Sequence, residues 1–194
     1  MKVNHIKNIE TKLLSEDKYV LKKLTFNLKL RNNTWVTQSR EVYNRGDGAS
    51  ILLYNTTKKT VLLVKQFRLP TYLNGNTSGY LVEVCAGMLD LDNPVDCIIR
   101  ETNEEVGYQL KAVKKIYEAY TSPGVMTEKM HFFIAEYNEE MRVSNGGGLA
   151  EEHEDIEVIE LPFKQALSML ESGEIEDMRT IVLLQYLALS HLML

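Results

Sequence analysis

The chain of 194 residues lacks most features of secreted and membrane-spanning proteins. Its only two cysteines, Cys85 and Cys97, lie in apolar surroundings without CxxC spacing. This predicts buried free thiols in a reducing compartment rather than a disulfide framework. No apolar run approaches the ~20 residues of a membrane span, and residues 1–12 lack the apolar stretch of a signal peptide. We therefore expect a cytoplasmic protein that does not enter a membrane.

Positive charge is also scarce, with 22 Lys and Arg against 27 Asp and Glu and a net charge of −5. This balance argues against nucleic acid as the main partner. The four histidines include no pair with the spacing of a zinc site. The apolar fraction of 44% and the charged fraction of 25% are ordinary for a globular protein with one good-sized core.

One segment, residues 87–108, concentrates charge in an unusual way. It contains an Arg-Glu-X-X-Glu-Glu-X-Gly pattern at residues 100–107. On a helix, Glu101 and Glu105 share a face, and two like charges at that spacing destabilise an isolated helix. A hard divalent cation bound by oxygen ligands removes this conflict, so the pattern predicts a metal site. The plain alternative is a solvated acidic helix, which is what most charge runs form.

The residues around this pattern predict where the helix begins and ends. Asn93 is a good N-cap, and Pro94 suits the first turn, where its missing N–H does no harm. Gly107 suits the left-handed position just past a helix end. The sequence therefore predicts a loop over residues 87–93 and a helix over residues 94–106, with an apolar stripe that the acidic pair borders.

With these residues in view, the chain resembles the Nudix hydrolases. The positions that match their signature are Gly87, Arg100, Glu101, Glu104, Glu105 and Gly107. The interval between the first glycine and the arginine is one residue shorter than in the general signature. The signature's first glutamate is also missing, and Asp92 or Asn93 takes its place. The short interval, with similar segments along almost the whole chain, resembles the subgroup of bacterial GDP-mannose pyrophosphatases. Among those segments are Gln66-Phe67-Arg68, Cys85-Ala86-Gly87 and Ser122-Pro123-Gly124.

This resemblance implies a pyrophosphatase that uses Mg²⁺, with Mn²⁺ as a substitute, to cleave a nucleoside diphosphate sugar. GDP-mannose would give GMP and mannose 1-phosphate. The implied catalytic residues are Glu105 or Glu154, which would activate water, and Arg100, which would hold Glu104 or the loop. The implied metal ligands are Ala86, through its carbonyl, Glu101, Glu105 and Glu154. The implied substrate contacts are Arg40, Glu41, Arg68, Ala86, Gly87, Met88, Glu105, Glu128, His153, Glu154 and Arg179.

Plainer interpretations of these residues remain open. Arg68 could form a structural ion pair, Glu128 could be a surface charge, and Arg179 could be no more than a charge at a helix entry. Glu151 and Glu152 remain alternatives to Glu154. The glycine-rich residues 144–148 indicate either a mobile surface loop or a lid that brings an acidic residue to the site.

Rival functions also remain open. The nearest is hydrolysis of ADP-ribose or another ADP-sugar by the same chemistry. A different class is a Nudix-fold protein that binds nucleotides without catalysis, and a third is a purely structural dimerisation protein. A non-catalytic protein should show a broken set of glutamates, whereas this chain retains all three of the pattern.

The hydropathy pattern divides the chain into two parts. Residues 1–45 are predicted to form a small antiparallel sheet with strands over residues 3–14, 24–30 and 35–43. Three strands bury little surface, and such a region forms much of the dimer interface in related enzymes, so we expect a homodimer. Residues 46–194 are predicted to form the Nudix domain, an α/β (α+β) fold with a mixed sheet between helices. Its predicted strands cover residues 50–54, 61–67, 81–85, 116–120, 130–137 and 157–160, and its later helices cover residues 163–172 and 180–192.

Overall fold

The structure is a computed structural model that describes residues 5–193. Its contacts divide the chain into two compact units. The first comprises residues up to Asp47 together with Ala119–Lys129, and the second comprises Gly48–Glu118 and the residues from Met130 onward. The sequence pattern did not indicate that residues 119–129 group with the N-terminal part of the chain.

The first unit contains a three-stranded antiparallel sheet in the order β1-β2-β3. The strands are β1 (Ile6–Glu16), β2 (Val20–Lys29) and β3 (Trp35–Asn44), which confirms the predicted sheet with a longer second strand. Residues 3 and 4 of the predicted first strand lie outside the described residues. None of the residues in these three strands is buried, and every residue of β1 is exposed. This sheet therefore has no core of its own.

Residues 119–129 connect to the end of β3 through backbone hydrogen bonds. The Tyr43 N–H donates to the Val125 carbonyl (2.8 Å), and the Thr127 N–H donates to the Tyr43 carbonyl (3.2 Å). An ion pair joins the Arg45 Nε and Glu128 Oε1 atoms at 3.0 Å. These contacts lie between residues far apart in sequence, so no local pattern could reveal them.

The second unit is built on a seven-stranded mixed sheet. Its central order is β10-β5-β4-β9-β8, with β6 paired to β5 and β7 paired to β4. The pair β4/β9 is parallel, whereas β4 pairs antiparallel with both β5 and β7. The strands are β4 (Gly48–Asn55), β5 (Thr60–Phe67), β6 (Tyr80–Glu83), β7 (Cys85–Met88), β8 (Lys114–Tyr120), β9 (Lys129–Glu136) and β10 (Glu157–Pro162).

The strand predicted over residues 81–85 is interrupted, because the chain forms two strands there. The break falls at Val84, whose N–H donates to the Thr180 hydroxyl (2.8 Å) rather than to a strand. The chain thereby leaves β5 as a partner and joins β4. This shift brings Cys85–Met88 alongside the middle of the sheet, where the candidate site lies.

Among the described residues, four α-helices accompany the sheet. They are α1 (Leu69–Leu73), α2 (Pro94–Glu101), α3 (Phe163–Ser172) and α4 (Met178–Leu189). The last helix begins earlier than predicted, because the Asp177 carboxylate accepts the Thr180 N–H (2.9 Å) as an N-cap. The sequence pattern missed α1, which buries none of its residues. Within residues 5–193, no helix combines the length and apolar character that a membrane span requires.

The second unit buries a separate apolar cluster on each face of its sheet. Alternate residues of β4 point to opposite faces, so Ile51 packs with Cys97 and Ile98 of α2, whereas the neighbouring Leu52 packs with residues of α3 and α4. We refer to the first cluster as the α2 face and to the second as the α4 face. The predicted sheet between helices is thus confirmed.

Candidate active site

The start of α2 is fixed as the sequence predicts. The Asn93 side-chain oxygen accepts the N–H groups of Val95 (3.0 Å) and Asp96 (3.1 Å), and Pro94 is the first helical residue. Because β7 extends to Met88, the loop before the helix is shorter than the predicted residues 87–93. Asn93 therefore starts α2 only a few residues after the end of β7, the strand that the helix faces.

The end of the helix differs from the prediction. The last turn, Thr102–Val106, is a π-helix, and Gly107 closes it at φ +82° in the left-handed region. Such π-helical turns occur often at functional sites. Glu105 lies in this turn and is buried, with 4% of its surface exposed. The acidic segment is therefore not a solvated helix face.

The two glutamates of this helix converge on the backbone of β7. The Ala86 N–H donates to Glu105 Oε2 (3.2 Å). The carboxyl group of Glu101 packs against Gly87, where an added Cβ would collide with it. A side chain at Gly87 would therefore force the carboxyl group of Glu101 to move. Strand β7 and the helix end together place both carboxylates at one point on the α2 face.

Burial makes the negative charge of these two groups costly. The pKa of Glu101 is raised from 4.5 to about 7, mainly by burial, and the neighbouring carboxylates of Glu104 and Glu154 contribute to the rise, whereas Arg100 opposes it. Burial likewise raises the pKa of Glu105 from 4.5 to about 7, with Glu101 and Glu154 adding to the effect. Glu154 therefore lies close enough to both groups to act on them electrostatically.

Arg100 holds the surroundings of the pair in place. Its guanidinium contacts Glu104 Oε2 (2.9 Å), Glu101 Oε1 (3.0 Å) and, through Nε, Asp92 Oδ2 (3.3 Å). It therefore joins the helix to the preceding loop, as the sequence interpretation expected. Asp92, near the position of the missing first glutamate of the Nudix signature, is thus held by its ion pair with Arg100.

The glycine-rich segment is attached to the end of the helix. The N–H groups of Gly147 and Gly148 donate to the carbonyls of Glu105 (2.9 Å) and Glu104 (3.1 Å). These bonds attach the segment to the helix through carbonyls that the helix end leaves without partners. The segment leads to Glu154, whose Oε2 accepts the Leu149 N–H (3.0 Å).

Glu154 differs in burial from the three residues that precede it. Glu151 and Glu152 lie exposed in a short 3₁₀ turn, Ala150–Glu152. His153 follows at φ +56° and is also exposed. Only Glu154 is half-buried and interacts with the helix glutamates. This geometry favours Glu154 over its two acidic neighbours.

These oxygen groups suit a hard divalent cation in both chemistry and charge. The buried Glu105 and the half-buried Glu101, both with raised pKa values, form a site with the nearby Glu154 where added positive charge is stabilising. Across residues 5–193, however, no three His, Cys, Asp or Glu side chains are already grouped to hold a metal ion. The carboxylates of Glu101, Glu105 and Glu154 engage Arg100, the Ala86 N–H and the Leu149 N–H respectively.

Two predicted substrate contacts, Arg68 and Arg179, both lie against a buried carboxylate that the sequence reading did not single out. Glu83, at the end of β6, is 2% exposed. It contacts Arg68 Nη2 at 2.6 Å and Arg179 Nη2 at 3.0 Å, and Arg179 also reaches Asp177 (3.0 Å). The only available signal was a glutamate just before the apolar Val84-Cys85-Ala86 segment.

Three other predicted substrate contacts belong to the first unit. Arg40 and Glu41 are exposed on β3, and Arg40 donates to the Ser39 carbonyl (2.8 Å) and the Gln38 side chain (3.0 Å). Glu128 is buried, and it accepts the Thr121 hydroxyl (2.6 Å) besides its ion pair with Arg45. Met88 ends β7 in the second unit, and its carbonyl accepts the Cys97 thiol (3.2 Å). Their contact with a substrate stays a prediction.

Comparison with known proteins gives consistent matches along the chain. Residues 44–182 match the NUDIX domain, and residues 5–43 match the GDP-mannose pyrophosphatase NudK N-terminal domain. The chain is 55% identical to the GDP-mannose pyrophosphatase of Salmonella arizonae and 53% identical to that of Escherichia coli O9:H4. Each alignment covers 95% of this chain and 96% of the relative.

A solved structure shares the fold. It is the crystal structure of an ADP compounds hydrolase, with a TM-score of 0.69 and 18% sequence identity. The alignment covers 96% of this chain and 95% of that structure's chain. At this identity the likeness bears on the fold alone.

Proposed function

The chain belongs to the NUDIX family of hydrolases, and from that premise we propose that it cleaves the diphosphate bond of GDP-mannose, giving GMP and mannose 1-phosphate. The observation that carries the chemistry is the convergence of Glu101 and Glu105 on the backbone of Ala86 and Gly87. The substrate is supported by the relatives named GDP-mannose pyrophosphatase, which align over 95% of the chain.

The residues present suggest how the reaction would proceed. A diphosphate resists attack because its negative oxygens repel a nucleophile. Mg²⁺, held by the three carboxylates and the Ala86 carbonyl, would supply the charge that neutralises those oxygens. Glu154 or Glu105 would accept the proton of the attacking water. The water would attack one phosphorus in line, and the other phosphate would leave.

The surrounding groups would bind and orient the substrate. Arg68 and Arg179 offer guanidinium groups next to Glu83, and Arg groups of this kind bind phosphate oxygens well. Arg100 would hold Glu104 and the loop without touching the substrate. The further proposed contacts are Arg40, Glu41, Gly87, Met88, Glu128 and His153.

We also propose that the N-terminal region, residues 1–45, forms a homodimer interface in a cytoplasmic enzyme. The support is the exposed apolar surface of β1, where Ile9 is 59% and Leu13 is 49% exposed. The mass in solution, measured by light scattering, tests this. The parent should have the mass of two chains, and Leu13→Lys should have the mass of one chain. A parent with the mass of a single chain would refute the proposed dimer.

The first test of the function is hydrolysis of four nucleotide sugars, GDP-mannose, ADP-ribose, ADP-glucose and UDP-glucose, with Mg²⁺ and with Mn²⁺. We expect GMP and mannose 1-phosphate as the dominant products, and loss of turnover in Glu105→Gln. The matched control is Glu171→Gln, which makes the same change at an exposed position of α3.

Each other outcome has a defined meaning. Dominant cleavage of ADP-ribose or ADP-glucose would retain the chemistry and overturn the substrate. Metal-independent turnover would overturn the role of the carboxylates. No turnover of any of the four substrates would overturn the GDP-mannose proposal and favour a protein that binds nucleotides without catalysis.

A further inference from the structure

The segment Gly146-Gly147-Gly148 lies between the π-helical turn that follows α2, to which it is hydrogen-bonded, and Glu154. Its backbone is fixed at one end by the hydrogen bonds of Gly147 and Gly148 to the carbonyls of Glu105 and Glu104. At the other end, the backbone N–H of Glu154 donates to the Leu149 carbonyl (3.2 Å) while its carboxylate accepts the Leu149 N–H (3.0 Å). Residues 149–154 thus close into a small ring directly beyond the glycines.

Within this ring, the side chain of Glu154 occupies the space next to Gly148. A Cβ added to Gly148 would lie 2.5 Å from Glu154 Oε2 and 2.6 Å from Glu154 Cβ. The clash with the carboxylate alone could be relieved by rotating the side chain. The clash with Cβ cannot, because that atom is attached directly to the backbone. A side chain at residue 148 would therefore displace the backbone of Glu154.

We infer that Gly148 is a positioning residue for Glu154. By having no side chain, it lets Glu154 fold back over the segment that is bonded to Glu104 and Glu105, which places its carboxylate near the other two. This inference rests on the proposed function of Glu154 as a metal ligand or base. It assigns to the glycine-rich segment a fixed spacing between the helix and Glu154, in place of the flexibility that its composition suggests.

The neighbouring Gly147 provides a matched control. It also has a left-handed backbone, at φ +113° against +82° for Gly148, so a side chain strains either position. A Cβ at Gly147 would meet only the Ile156 carbonyl oxygen, at an ordinary 3.8 Å. Both substitutions therefore strain the backbone, Gly147→Ala more than Gly148→Ala, but only a side chain at Gly148 would displace Glu154.

The experiment compares Gly148→Ala with Gly147→Ala in the full chain. It measures kcat and KM for the substrate, the Mg²⁺ concentration that gives half-maximal activity, and the rise in melting temperature that Mg²⁺ causes. We expect Gly148→Ala to lower kcat or the affinity for Mg²⁺ by about 10–100-fold, as for a lost positioning partner. The KM of Gly148→Ala should change little. For Gly147→Ala, both kcat and the affinity for Mg²⁺ should stay within about 3-fold of the parent values.

A double substitution separates positioning from general damage. If Gly148 acts through Glu154, Gly148→Ala should add little to the loss already caused by Glu154→Gln. Equal losses in Gly148→Ala and Gly147→Ala, or fully additive losses in the double variant, would overturn the inference. If the parent enzyme binds Mg²⁺ but cleaves no nucleotide sugar, the proposed function fails, and the melting-temperature measurement still tests the positioning of Glu154.

A second pair of variants covers the case in which alanine at either position prevents folding. Asparagine tolerates a left-handed backbone better than alanine does, yet it brings the same Cβ. Gly148→Asn should reproduce the loss of Mg²⁺ affinity, and Gly147→Asn should not. A larger loss of Mg²⁺ affinity in Gly147→Asn than in Gly148→Asn would overturn the inference.

Discussion

The two faces of the seven-stranded sheet are built from the same strands and bury different chemistry. The α4 face buries leucines of α4 against Leu52, Leu63 and Phe132. The α2 face buries Cys85 and Cys97 together with polar groups, among them Glu105 and Thr102. A face of close-packed apolar side chains holds the strands in position, while the other face carries carboxylates whose burial opposes folding. The apolar burial on the α4 face thus offsets the unfavourable burial of the carboxylates on the α2 face.

The largest expected effect comes from opening the α4 face. Leu184 is fully buried, so Leu184→Ala should lower the free energy of unfolding by about 2–5 kcal/mol, through lost burial and a cavity. Leu189→Ala is the control on the same helix, because Leu189 is 79% exposed, and it should change the free energy of unfolding by less than about 0.5 kcal/mol. Urea unfolding followed by circular dichroism measures both. Equal effects of the two substitutions would contradict this account of the α4 face.

The next effect concerns the buried carboxylate of Glu83. Arg179→Met should lower the free energy of unfolding by about 3 kcal/mol, because Glu83 would keep only Arg68 as an ionic partner and Asp177 would lose its own. Arg31→Met, at an exposed turn position, is the control and should have no measurable effect. Urea unfolding measures both variants. Unchanged stability in Arg179→Met would mean that Glu83 is well solvated, against its 2% exposure.

A smaller effect with the opposite sign is expected on the α2 face. The pKa of Glu105 is raised from 4.5 to about 7 in the folded protein, so folding is favoured below pH 4.5 and loses this contribution as the pH rises to about 7. In the metal-free protein, Glu105→Gln should therefore raise the free energy of unfolding by about 1–3 kcal/mol at pH 8 and leave it nearly unchanged at pH 4.5.

The measurement for Glu105 is urea unfolding in EDTA at both pH values, with Glu171→Gln as the control. Added Mg²⁺ should stabilise the parent more than Glu105→Gln at pH 8, because a ligand that binds only the folded state stabilises it. A metal-free parent that is more stable than Glu105→Gln at pH 8 would show that burial does not disfavour this carboxylate.

The smallest effect is a difference in reactivity alone. Burial raises the pKa of the Cys97 thiol to about 12 and that of Cys85 above its ordinary value, with Glu101 adding to both shifts. At pH 8 both groups should stay protonated and react with Ellman's reagent only as fast as the protein unfolds. In denaturant both should react at once. Rapid reaction of either thiol in the folded protein would show that the α2 face admits the reagent.

Much of this arrangement follows from local sequence. Asn93, Pro94 and Gly107 predict the catalytic helix because capping and left-handed geometry depend on single residues. Alternation of apolar residues predicts most strands for a similar reason. The resemblance to Nudix hydrolases identifies the matching glutamates, and the structure brings Glu101 and Glu105 together on the α2 face.

Several features that the sequence did not reveal depend on partners distant along the chain. The final π-helical turn has its carbonyls capped by Gly147 and Gly148, some forty residues later. The break at Val84 depends on Thr180, and the environment of Glu83 depends on Arg179. Glycine composition suggested mobility for residues 144–148, whereas the structure uses the same residues for close backbone contact. Local pattern cannot distinguish these two uses of glycine.

The contact between Gly107 and Gly146 has a consequence for how the protein tolerates sequence variation. A Cβ at Gly107 would lie 2.5 Å from the Ser144 carbonyl oxygen and 2.6 Å from the Gly146 nitrogen, and a Cβ at Gly146 would collide with the backbone of Glu105 and Val106. Each obstacle is main chain, so no change of a neighbouring side chain could compensate for either substitution. In a randomised library screened for folded protein, both positions should therefore return almost only glycine, whereas Gly124, with nothing within 4 Å of its added Cβ, should accept many residues.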